Sequence, residues 1–122
     1  DHKPMQAPLP RIKLRLEYGH ALTLGPGKMQ LLVLIDHHGS IAAAGRDMGM
    51  SYKRAWSLVE EMNAGFTLPV VDSSRGGPGG GGAVLTQTGH AVIRHFRALE
   101  TLLDQAGARD LQALGRLLAD RD

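Results

Sequence analysis

Residues 39 to 63, GSIAAAGRDMGMSYKRAWSLVEEMN, constrain the fold more than any other stretch of this chain. They read as two short helices joined by a tight turn. Ser40 is placed to cap a helix that starts on Ile41, its hydroxyl accepting from an otherwise unpaired backbone N–H. The small run Ala42, Ala43, Ala44 and Gly45 lets a second helix approach closely, and Gly49 supplies the permissive backbone of the turn. Ser51 caps the next helix, whose apolar positions Ala55, Val59, Met62 and Phe66 step by four, three and four along one face. Lys53, Ser57 and Glu60 lie opposite, with Tyr52 and Arg54 at the leading end. A helix buried on one side, and basic and polar at its N-terminal end, suits the major groove of DNA. The alternative is an ordinary helical hairpin with a solvated charged face. Trp56, the single tryptophan, falls on the flank of this helix, where packing at the edge of the core is the first reading.

The rest of the chain supplies what such a pair needs. Residues 1–10 hold three prolines without periodicity and read as a loose arm. From Arg11 to Tyr18 apolar and polar residues alternate, the period of a half-buried strand. Pro26 suits the first turn of a helix running to about His38, and Gly39 stops it. Leu68–Ser73 and Ala83–Leu85 read as two strands around a glycine-rich loop, with Arg75 as its cation. A phosphate-cradling loop would end in Lys followed by Ser or Thr; Gly82 is followed by Ala83 and Val84, so that reading fails. Thr86 caps a long helix to about Gly107, in which Val92, Phe96, Leu99, Leu103 and Ala106 follow a coiled-coil seam. That seam reads as a dimer interface, the alternative being packing onto the domain's own core. Asp110 is placed to cap a last short helix through Leu111, Leu114 and Leu118.

The 122 residues allow one domain, divided as a flexible arm (1–10), a DNA-binding domain (11–86) and a dimerisation helix with a short C-terminal helix (87–122). The net charge of +2 is a weak electrostatic argument, although the small basic excess lies before Ala83. The absence of cysteine fits a reducing compartment, and a cytoplasmic location is expected. No apolar run approaches the roughly 20 residues of a membrane span. The histidine spacings suit no shared metal ion, so no metal site is expected. No nucleophile elbow or acid–base pair stands out, so no catalytic residue is expected and the chain reads as a non-enzyme.

Ser51-Tyr52-Lys53-x-Ala55-Trp56, Glu61-Met62-Asn63 and the run from Gly76 through Thr86 to Gly89 together resemble one family. It is the N-terminal domain of ModE-type molybdate-responsive transcriptional regulators, itself similar to LysR-type DNA-binding domains, over about residues 10 to 106. The resemblance implies a mainly α fold with a small β wing: a winged helix-turn-helix plus a long C-terminal dimerisation helix. It implies a homodimer on a palindromic operator in double-stranded DNA, acting as a regulator, read as a repressor. Carried residue by residue, it places Ser51, Tyr52, Lys53, Arg54 and Ser57 on the recognition helix and Arg75 on the wing. Gly45 stands where the family usually has alanine, and Pro78 where it has a basic residue. The family's molybdate or tungstate is held by a C-terminal module, so no cofactor is expected in this chain. The rival reading is the same fold used as a protein–protein adaptor.

Overall fold

The computed structural model of the protein describes residues 10–74 and 81–119. Its order is a first hairpin, β1 (Leu16–Tyr18) and β2 (Leu22–Leu24), then α1 (Pro26–His38), α2 (Ile41–Asp47) and α3 (Tyr52–Gly65). A second hairpin, β3 (Val71–Ser73) and β4 (Ala83–Leu85), leads into α4 (Gln87–Ala106) and α5 (Ala108–Leu117).

The helix boundaries follow from local chemistry. Pro26 sits at the start of α1, and Gly39 closes it in the left-handed region (φ 68°), its N–H donating to Ile35 O at 2.7 Å. Ser40 Oγ accepts from Ala43 N at 3.1 Å, Ser51 Oγ from Arg54 N at 3.1 Å, and Thr86 Oγ1 from Gly89 N at 3.0 Å. All three caps stand where the sequence places them. Asp110 does not cap α5; it lies in that helix's first turn, and Gly107 occupies the cap position.

One aliphatic core joins the elements. Leu31, Leu32 and Ile35 of α1 are fully buried, as are Ala44, Ala55, Met62 and Val70. Phe96 of α4 closes the core at 3% exposure. Helices α2 and α3 meet where neither carries bulk: a Cβ built on Gly45 would lie 2.9 Å from Ala55 Cβ. The glycine that costs α2 helix propensity is therefore what allows this approach.

Asn63 fixes the chain that leaves α3. Its Oδ1 accepts from Val70 N (2.8 Å) and Val71 N (3.2 Å), while Nδ2 donates to Val71 O (3.2 Å). Val70 O in turn accepts from Thr86 N at 3.0 Å, and Thr86 Oγ1 donates to Pro69 O at 2.6 Å. Gly89 passes so close to this strand that a Cβ there would lie 2.2 Å from Val70 O. The second hairpin is tied to the helices as well, Ala83 N donating to Gly39 O at 2.9 Å.

The expected fold class, mainly α with a single small β wing arranged as a winged helix-turn-helix plus a long C-terminal dimerisation helix, is corrected. Among the described residues there are two separate two-stranded antiparallel sheets. In the first, Leu16 faces Leu24 and Tyr18 faces Leu22, around a turn in which Gly19 has φ 57°. The single strand over residues 11–18 is in fact the last three of those residues paired to Leu22–Leu24, which bury Leu22 and Leu24 in the core. The long helix is not one continuous partner-facing seam either, because Phe96 belongs to its own core.

Candidate nucleic-acid interface

The exposed surface with the most chemistry is the N-terminal half of α3. Its buried stripe is Ala55, Leu58, Val59 and Met62, which adds Leu58 to the positions expected from the spacing. Burying that stripe turns Ser51, Tyr52, Lys53, Arg54 and Ser57 outward, and all five are exposed, Tyr52 at 57%. Lys53, Ser57 and Glu60 share one side of the helix at steps of four and three.

The electrostatics of this end favour an anion. The first turn of α3 holds no acidic residue, so the partial positive charge of the helix terminus adds to Lys53 and Arg54. The ion pairs among the described residues are Arg15–Glu17, Lys28–Glu61, His38–Asp47 and the looser His90–Asp36 contact. Neither Lys53 nor Arg54 is among them, and both cations remain available to phosphate oxygens. Lys28 also donates to Thr23 O at 2.6 Å. With its carboxylate partner Glu61, it pins the start of α1 to α3 and to the first hairpin.

Trp56 lies on the same helix. At 45% exposure it is half-covered on the flank of α3, one turn after Tyr52. The exposed part of the indole can stack on a ligand's flat faces. Arg75 lies outside the described residues, as do Pro78 and the first nine residues of the arm. Ser73, Ser74 and Gly82 line a shallow cavity of about 500 Å³ beside Gly39. Asn63 and Gly89 carry positioning roles that the hydrophobic periodicity could not reveal, since their partners are backbone atoms of a distant strand.

The seam residues of α4 divide into two groups. Phe96 is in the core and Val92 packs against it, whereas Leu99, Leu103 and Ala106 are exposed. The reading of Phe96 as a partner contact is corrected accordingly, since it faces the domain's own interior, while Val92 is only partly buried.

Among the described residues no group of three or more His, Cys, Asp or Glu is placed to hold a metal ion. No helix there is long and apolar enough to cross a membrane.

No protein-family model matches the chain. Curated relatives do. The molybdenum-pterin-binding protein MopA of Rhodobacter capsulatus is 41% identical over 93 residues, which is 76% of this chain and 35% of that protein. MopB of the same organism is 46% identical over 77 residues, 63% of this chain and 28% of its own length. The DNA-binding transcriptional dual regulator ModE of Escherichia coli K12 is 38% identical over 95 residues, 78% of this chain and 36% of the regulator. The chain spans about a third of the length of these relatives. None of the three is named as an enzyme, and a transcriptional regulator is among them.

These matches overturn two narrower expectations. The chain was expected to be the N-terminal winged-helix DNA-binding domain of ModE-type regulators; two proteins named for binding molybdenum-pterin match at higher identity than the regulator. The likeness is to a wider molybdenum-related group, and it does not carry placement in one domain of one kind of regulator. The expectation that molybdenum handling belongs wholly to a module missing from this chain falls for the same reason, because the relatives so named share most of this chain. The described residues, for their part, bury no charged or polar side chain, the kind of donor that an oxyanion held away from water requires.

Proposed function

We propose that this chain binds double-stranded DNA as part of a transcriptional regulator of the molybdate-responsive type, working as a homodimer on a palindromic site. The observation that carries the reading is the N-terminal half of α3. There Ser51, Tyr52, Lys53, Arg54 and Ser57 project together from a helix with no acidic residue in its first turn. Lys53 and Arg54 supply phosphate or guanine contacts, while Tyr52 and Ser57 hydrogen-bond or pack near base edges. Arg75 adds a cation from the loop between β3 and β4. The name of the Escherichia coli relative, a DNA-binding regulator, agrees with this assignment. Two copies would set their α3 helices about 34 Å apart, in successive major grooves on one side of the duplex. The reading assigns no catalysis to the chain.

Fluorescence anisotropy on fragments selected from genomic DNA tests it. Lys53→Ala and Arg54→Ala should each weaken binding and lower the salt dependence by up to about one unit. Unchanged affinity and salt slope in both variants would remove α3 from the interface and favour an adaptor role.

A further inference from the structure

Tyr52 and Trp56 stand one turn apart on α3, and both keep part of their ring surface in water. At about 100° per residue they form a row beside Lys53 and Ser57, and Asn63 continues that row two turns further on. Asn63 holds Val70 and Val71, so the aromatic row lies on the flank of α3 that leads into the second hairpin. The indole therefore borders the helix face assigned to DNA.

Nothing within the chain uses the polar edge of this ring. Among the described residues, Trp56 Nε1 takes part in no hydrogen bond. Neither Tyr52 nor Trp56 pairs there with another aromatic ring. What α3 presents at this point is a hydrocarbon surface beside a group that can only donate.

The major groove has one edge of matching chemistry. Its apolar group is the C5-methyl of thymine, and the same base carries the O4 acceptor. Adenine and guanine offer an acceptor but no methyl. Cytosine offers its N4 amino group, which would meet the indole N–H donor to donor. Thymine suits this side chain best, and cytosine least.

We propose that Trp56 is a specificity-determining residue that reads thymine in the major groove. Its ring covers the C5-methyl, its Nε1–H donates to O4, and Tyr52 shields the contact from water. This rests on the DNA reading above and deepens it: Lys53 and Arg54 hold the duplex, and Trp56 adds a preference for one base.

The test measures the 122-residue protein by fluorescence anisotropy on a selected genomic fragment made with thymine or with uracil, which lacks only the methyl. Circular dichroism confirms that each variant keeps its helices. For the unmodified protein, uracil should weaken binding about fourfold per methyl contact, or roughly 15-fold when two copies bind. Trp56→Ala should weaken binding to the thymine fragment and hold both fragments equally. Lys53→Ala should weaken both by one factor and keep the preference. Trp56→Phe retains a ring without the N–H, and serves where Trp56→Ala fails to fold. It should keep the preference for thymine over uracil and lose part of the discrimination against cytosine placed where uracil weakens binding. Equal affinity of the unmodified protein for the two fragments, with Lys53→Ala still impaired, would overturn the thymine assignment and leave the DNA reading standing. A preference that persists in full in Trp56→Ala would come from duplex shape or another residue, and would overturn the proposal too. Binding to neither fragment, or binding that Lys53→Ala, Arg54→Ala and Trp56→Ala all leave unchanged, would overturn the DNA reading itself.

Discussion

Helices α2 and α3, and helices α4 and α5, are both consecutive pairs with a glycine at the junction, yet they reach opposite states. In the first pair the apolar faces meet each other and α1, and what remains outside is mostly polar, with Lys53 and Arg54 at the N-terminal end of α3. In the second pair the first half of α4 enters the core through Phe96, and the rest of the pair leaves its leucines in water. The hydrophobic effect therefore finishes one pair within the chain and leaves the other unfinished. A surface that stays polar after the core is satisfied is free to read a charged polymer. A surface that stays apolar calls for another protein surface.

Substitutions in the two pairs should therefore have different readouts. The largest effect should come from Leu32→Ala, at a fully buried position of α1 against which both regions lean. Denaturant unfolding should show a loss of about 4 kcal/mol, independent of protein concentration. Gly89→Ala drives a methyl to within 2.2 Å of a backbone oxygen that is itself hydrogen-bonded. A loss of about 3 kcal/mol is expected, with a lower thermal midpoint.

Asn63→Ala removes the clamp on Val70 and Val71. It should cost about 2 kcal/mol and speed amide exchange at those two positions more than elsewhere. Gly45→Ala sets two effects against each other. Helix propensity gains about 1 kcal/mol, while a contact of 2.9 Å with Ala55 forces α2 and α3 apart. Packing should win, for a net loss of about 1 kcal/mol in thermal unfolding.

The smallest effect on the single chain should come from Leu117→Ala, at 81% exposure. At concentrations where the chain is monomeric, stability should change by less than about 0.5 kcal/mol. At high concentration the loss should grow, because dimerisation adds to the apparent stability by mass action. A concentration-independent loss of core size would erase the contrast between the two pairs.

Much of this architecture can be read from residues with local duties. Pro26 and Gly39 bracket α1, Ser40, Ser51 and Thr86 open three helices, and Ala55, Val59 and Met62 mark the buried side of α3. Such signals act within one or two turns and survive any tertiary context. The hairpin partner Leu22–Leu24 escaped because three residues are too few for a periodicity to declare itself. Phe96 was misread because a heptad pattern shows an apolar face without showing what covers it, core or partner. Of the candidate contact residues, the five on α3 were legible because burying one face of an amphipathic helix fixes the other. The duties of Asn63 and Gly89 depend on atoms of a strand some distance along the chain, and no local pattern encodes them.

The most direct measurement is a hydroxyl-radical footprint of the protein on a selected genomic fragment. The account predicts two protected patches on one face of the duplex, centred about one helical turn apart, both lost together in Lys53→Ala with Arg54→Ala. Uniform cleavage across every fragment, or a footprint that the double variant leaves intact, would contradict it.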